Sequence, residues 1–209
     1  DASDALLTRF SPTVVLIRSW DNKNSDPNPY RVIIDNMMNL EMLFMATKLT
    51  GDKRYYDIAV RHADNTLKNH FRADNSCFHI VCYDAGTGRG TGQKGGQGYS
   101  AASAWSRGQS WARYGFTMCY RETGDKRYLD RAVKCAEYFI NHPRLPEDLV
   151  PYWDYDAPGI PDEPRDASAA AITASALLEL ARYAPGKAQT YYAPARKILM
   201  SLASDRSLI

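Results

Sequence analysis

The sequence predicts an all-α protein, an α/α toroid represented here by about three and a half helical hairpins. Three observations predict it: an internal repeat, an alternation between two kinds of apolar segment, and a scarcity of strand signal. The repeat organises the chain. "TGDKRYYDIAV" (50–60) recurs as "TGDKRYLDRAV" (123–133), 73 residues further on. Thr-Gly-Asp sets a glycine, suited to the left-handed backbone that ends a helix, directly before an aspartate that caps the next one. Each copy therefore reads as the elbow of a helical hairpin.

The elements follow in order. "ALLTRFSPTVVLIRSW" (5–20) reads as a residual amphipathic segment in which Pro12 starts or kinks a helix. "DNMMNLEMLFMATKL" (35–49) is apolar almost all round and leads into the first elbow, and "GQSWARYGFTMCYRE" (108–122) leads into the second. A third such segment, "DASAAAITASALLELARYA" (166–184), precedes a one-faced amphipathic run, "QTYYAPARKILMSLA" (189–203). A helix apolar all round has to be enclosed, whereas a one-faced helix can lie outside it. Inner helices ringed by outer ones are the expected result. Only "CFHIVCYDAGTG" (77–88) reads as strand, with a small hairpin or extended loop around it. A closed toroid takes about six hairpins, so the expectation is a single domain over residues 1–209, incomplete at both ends.

The bulk composition excludes several function classes. Apolar residues make up 44% and charged residues 24% with a net charge of +2, which suits a packed globular core. There is neither a basic stripe for nucleic acid nor an apolar run long enough for a bilayer, so no nucleic-acid or membrane partner is expected. Four cysteines (Cys77, Cys82, Cys119, Cys135) are too few and too irregular for a disulfide framework. The chain opens at "DASDALLTRF" without an initiator Met or a signal peptide, and so reads as a mature or truncated piece. Compartment, cytoplasmic or periplasmic, and oligomeric state are not legible.

Counting back from each elbow aligns the inner helices. Asp35 falls opposite Gly108 in "SRGQSW", and Asp166 opens the third helix. Inner helices of a toroid all run the same way, so Asp35, Arg107, Gln109 and Asp166 are expected along one rim. The loops 72–104 and 143–165 enter that rim with His79, Gln97, Trp105, Trp153, Asp154 and Asp156. Converging helix N-termini suit an anionic ligand. Arg107 has the fork that grips a carboxylate, and Trp105 and Trp111 have flat faces for a sugar ring. Asp35, set among Ile33, Ile34, Met37 and Met38, is a candidate proton donor because apolar surroundings raise a carboxyl pKa.

Plainer readings stand beside these. Asp35 is an N-cap position, although Met38 occupies the place where a capping box needs Glu or Gln. Arg107 has Asp166 or Glu122 as ion-pair partners. Trp105 and Trp111 suit core packing, Asp154 and Asp156 suit turn formation, and His79 suits an ordinary loop. Gly90, Gly92 and Gly95 match G-x-G-x-x-G, but no βαβ unit surrounds them, which excludes a dinucleotide site. Cys77 and Cys82, five apart in an extended segment, point to opposite faces and do not form a joint metal site around His79.

"IIDNMMNLEMLF", "GYSAASAWSRGQSWARYGF", "VPYWDYDAP" and "PRDASAAAITASALLEL", in this order along nearly the whole chain, resemble the unsaturated glucuronyl hydrolases of glycoside hydrolase family 88. The resemblance implies an (α/α)6 toroid or barrel. It implies an unsaturated uronyl oligosaccharide as substrate, with a C4=C5 double bond left by polysaccharide lyases, and no metal or organic cofactor. The aspartate matching Asp35 protonates C4 and then, as carboxylate, assists water at C5. By the same match His79, Gln97, Arg107 and Trp111 contact the unsaturated uronate, with Trp105 in the same block. The pattern departs in four ways. The C-terminal hairpins that complete the family's barrel are missing, and "TGRGTGQKGGQGY" is unusually glycine-rich and lacks the histidine often found before Gln97. Ala101 stands where the family usually has an acidic residue, and the family's second aspartate, beside a histidine, lies upstream of Asp1. Three other readings remain at this point: the similar unsaturated rhamnogalacturonyl hydrolases, a catalytically inactive sugar-binding scaffold, and a helical-repeat interaction module.

Overall fold

The computed structural model describes residues 2–20 and 30–204. Among these, three inner helices, α2 (Asn36–Thr50), α4 (Ser106–Thr123) and α6 (Ala167–Tyr183), pack side by side. Each is followed by an outer partner: α3 (Lys53–Asn69), α5 (Lys126–Ile140) and α7 (Ala188–Leu202). This is the expected toroid architecture, an arc of inner–outer hairpins. The elbows follow the capping chemistry read in the repeat. Gly51 and Gly124 adopt left-handed backbone at the ends of α2 and α4, with φ of 75° and 71°. Asp52 and Asp125 then accept from the backbone N–H of Arg54 and Arg127, satisfying donors that α3 and α5 would otherwise leave free.

The core runs between the two layers. Met37, Leu40, Leu43 and Phe44 of α2 meet Ala112, Phe116 and Cys119 of α4, and Ala170, Ala174, Leu177 and Leu180 continue the seam along α6. Alanine-rich α6 lets helices approach closely where a larger side chain would hold them apart. Arg113 is fully buried in this seam, donating to the Thr173 hydroxyl and the Cys135 carbonyl and lying over the Phe139 ring. Beyond the core seam Arg121 bridges Glu41, Glu122 and Glu179, one carboxylate from each of α2, α4 and α6.

Four expectations are corrected. Pro12 neither starts nor kinks a helix. The first helix, α1 (Ala2–Leu7), ends before it, and Pro12 sits in the turn of a two-stranded ribbon, β1 (Phe10–Ser11) with β2 (Leu16–Ile17). The strand content is also larger than the single segment expected. β4 (Ile80–Tyr83) is the centre of a three-stranded antiparallel sheet, flanked by β3 (Tyr30–Ile33) and β5 (Gly90–Lys94). β3 hides in the apolar run that continues into α2, and β5 hides in the glycine-rich stretch because its pairing uses backbone alone. Gly90 and Gly92 thus belong to a strand. Thirdly, α2 is not enclosed by the described residues: Met38, Met42, Met45 and Leu49, spaced along one face, are exposed. The fourth correction, at Gln109, belongs to the site.

Candidate active site

The site forms where β3 hands over to α2. Antiparallel pairing sets Ile33 opposite Ile80, and the N–H of Ile34 donates to the carbonyl of His79 at 3.0 Å. The two residues just past this pairing, Asp35 and His79, are thereby brought together from segments with low sequence proximity. Asp35 occupies the N-cap position of α2, yet its side chain makes no capping hydrogen bond. Asp52, Asp125 and Asp166, at the same position of α3, α5 and α6, all cap. The simple capping role is therefore not what holds Asp35 there.

Its surroundings are nearly dry. The Asp35 side chain is 13% exposed and Oδ2 has no hydrogen-bond partner. Burial pushes its carboxyl up to about 6, against smaller opposing effects of its own backbone N–H and the Arg107 charge. His79 faces it, with Nε2 3.7 Å from Oδ2, beyond hydrogen-bonding distance. The other ring nitrogen, Nδ1, accepts from the backbone N–H of Gln97 at 3.2 Å. An imidazole nitrogen that accepts carries no proton, so the neutral ring has its proton on Nε2, toward Asp35. Burial lowers the His79 pKa to about 4, which keeps the ring neutral at physiological pH.

Arg107 comes from the first turn of α4. Its Nε and Nη2 donate to Oδ2 of Asp166 at 3.2 and 3.1 Å, while Oδ1 of Asp166 caps α6 through Ala169 N–H. The ion pair read as one option is thus formed, yet the Arg107 side chain remains 39% exposed. Part of its fork stays open to a ligand. Trp105 is 3% exposed, with its ring 4.4 Å from that of His79 and the guanidinium of Arg107 5.4 Å from its centroid. It supports two site residues rather than presenting an open face. Trp111, one turn beyond Arg107 on the same side of α4, is half-buried and meets Tyr114 edge-on at 5.9 Å.

Gln97 reaches the site through its backbone, and its side chain is exposed. Gln109 does not line the rim. Two positions past Arg107, it is turned about 200° around the helix into the interior, where its amide grips both the N–H and the carbonyl of Cys77. There it anchors the segment leading to His79. Trp153 donates to Glu163 at 2.8 Å, and Asp156 accepts from Ala104 N–H at 2.8 Å. Asp154 is fully buried; its bond from Asp156 N–H is the local turn expected of it, and its bonds from Tyr99 and Ser103 join a distant segment that no local reading reaches. Among the described residues, no three His, Cys, Asp or Glu side chains gather as a metal site requires. No helix there is long and apolar enough to cross a membrane.

No family model matches the chain. Known proteins do. An unsaturated glucuronyl hydrolase of Formosa agariphila is 48% identical over all 209 residues, which correspond to 52% of its own length. A solved unsaturated glucuronyl hydrolase specific for heparin is 43% identical, with a TM-score of 0.92 over 97% of this chain and 54% of its own. A variant of the Streptococcus agalactiae unsaturated glucuronyl hydrolase, complexed with dGlcA-GalNAc6S, is 32% identical with a TM-score of 0.76, over 98% of this chain and 49% of its own. The chain spans about half the length of the curated relatives it matches. In sequence and in fold the chain is similar to the unsaturated glucuronyl hydrolases over about half of their length.

Proposed function

We propose that this chain carries the acid–base half-site of a hydrolase that removes a C4=C5 unsaturated uronate from the non-reducing end of lyase products. The single observation that carries the reading is Asp35. Its carboxyl lies at an N-cap position but caps nothing, is desolvated, and has a pKa pushed up to about 6. A group with that pKa is present in both forms near neutrality, as a residue that must give and then take a proton requires.

The step balances on Asp35 alone. Its acid form gives a proton to C4, leaving positive charge shared between C5 and the ring oxygen. A water oxygen bonds to C5 while the Asp35 carboxylate takes a proton from that water, which regenerates the acid. The hemiketal so formed opens to a ketone at C5, and the hemiacetal left at C1 expels the next sugar. One carboxyl serves both directions, so the two-carboxylate spacing of ordinary glycosidases does not apply. His79, with its proton on Nε2, is oriented to stabilise the carboxylate form of Asp35. Arg107 serves the uronate carboxylate, steered by Asp166, and Trp111 serves the sugar face. Gln97 bounds the same space, and Trp105 holds His79 and Arg107 in place.

The substrate class draws support from relatives: one solved neighbour is described as specific for heparin, and curated relatives act on unsaturated chondroitin disaccharides. The test is loss of near-ultraviolet absorbance from an unsaturated chondroitin or heparin disaccharide, run with the wild type and with Asp35→Asn. Loss with the wild type alone supports the reading. Equal loss in both removes Asp35 from the chemistry, and no loss in either leaves a sugar-binding scaffold as the better account.

A further inference from the structure

We propose that Asp154 is a positioning residue that latches the 96–105 segment, and through it holds Gln97 against His79. The proposal rests on the hydration reading above. Asp154 is 0% exposed, and its carboxyl oxygens are fully committed to backbone and hydroxyl donors. Oδ2 accepts from the Tyr99 N–H at 2.9 Å and the Ser103 hydroxyl at 2.7 Å, and Oδ1 accepts from the Asp156 N–H at 2.9 Å. Around it the two loops are sewn together: Asp156 accepts from Ala104 N–H, and Tyr155 N–H donates to the Ala104 carbonyl.

Two close approaches carry this order to the site. A Cβ on Gly98 would lie 2.9 Å from Oδ2 of Asp154 and 2.9 Å from Cβ of Trp105. A Cβ on Gly96 would lie 2.6 Å from the His79 ring. Gln97 is therefore pinned between two contacts that only glycine permits, one against Asp154 and one against His79. Its N–H on Nδ1 of His79 is the bond that fixes the imidazole proton on Nε2, toward Asp35. Removing Asp154 frees the segment at Gly98, and the His79 tautomer loses its lock. The glycines of "KGGQGY", which break the local sequence pattern, are thus sites of contact rather than slack.

Asp154→Asn is the direct test because an amide has one acceptor. Whichever way it turns, its NH2 faces the N–H of Tyr99 or of Asp156. Ser103→Ala is the milder companion, removing one of the three bonds. Steady-state kinetics with an unsaturated chondroitin disaccharide are expected to show KM raised about tenfold by Asp154→Asn and less by Ser103→Ala, with kcat falling less than KM rises. A role in stability alone would lower the active fraction and leave KM unchanged, and wild-type KM in both folded variants overturns the proposal. Should Asp154→Asn fail to fold, the KM of Ser103→Ala decides. Chymotrypsin cleavage after Tyr99, which is 55% exposed, separates the latch from the function reading. A wild type inert toward the sugar defeats the function reading. In that case faster cleavage in the variants supports the latch, and equal cleavage overturns it.

Discussion

Replacing Asp35 with Asn should remove turnover and, at neutral pH, make the protein more stable. The magnitude follows from the burial of its carboxyl. In the folded chain the pKa rises from the ordinary 3.8 to about 6, so the proton is bound more tightly in the folded state than in the unfolded one. The contribution of Asp35 to stability is therefore intact below about pH 4 and is lost as pH rises through about 6. At about 1.4 kcal/mol per tenfold change in proton affinity, the loss approaches 3 kcal/mol above pH 7. An asparagine has no charge to desolvate in either state. The stability difference between Asp35→Asn and wild type should thus grow by about 3 kcal/mol between roughly pH 3.5 and 7.5. Denaturant unfolding at a series of pH values measures it. Burial lowers His79 to about 4, so in the wild type the ring is neutral where Asp35 ionises. A difference that stays flat across this range would refute the argument, because it would mean that the folded Asp35 is solvated or paired like any surface acid.

Other consequences are open to measurement. Because the acid form delivers the proton, kcat/KM on an unsaturated disaccharide should fall about tenfold per pH unit above the Asp35 pKa of about 6; activity level to pH 8 would remove Asp35 as the donor. Arg107→Lys keeps the charge but loses the fork shared between Asp166 and a uronate, so KM should rise about tenfold or more, read from initial rates. Gly115→Ala would put a Cβ 2.4 Å from Cβ of Met37 at the crossing of α2 and α4, and a lowered denaturation midpoint, worth about 1–3 kcal/mol, is expected. Arg121→Ala would leave Glu41, Glu122 and Glu179 facing one another and should cost about 1–2 kcal/mol. Added salt should narrow that last difference, which distinguishes charge repulsion from lost packing.

What the sequence made legible was whatever is decided within one or two turns of chain. The elbows are local chemistry: Gly51 with Asp52, and Gly124 with Asp125, stop one helix and start the next wherever the rest of the protein lies. Beyond that reach, the same residues read wrongly. "RVII", just before the N-cap Asp35, carries no strand alternation of its own, and only its pairing with residues 80–83 makes it a strand. Counting back from an elbow finds the right helix end but not the right face: Arg107 and Trp111, four apart, share a side of α4, while Gln109 between them points into the core. Asp154 looked like a turn former, and its bond to Asp156 N–H is indeed such a turn; its other oxygen takes donors from a segment some fifty residues upstream. The decisive property of Asp35 is of the same kind. Among the described residues four aspartates stand at N-cap positions, and a motif cannot tell them apart. Three cap a helix through their side chains. The fourth faces a neutral histidine across a gap too wide for a hydrogen bond, and an acid held in that state is costly enough to the fold that its position calls for a chemical reason.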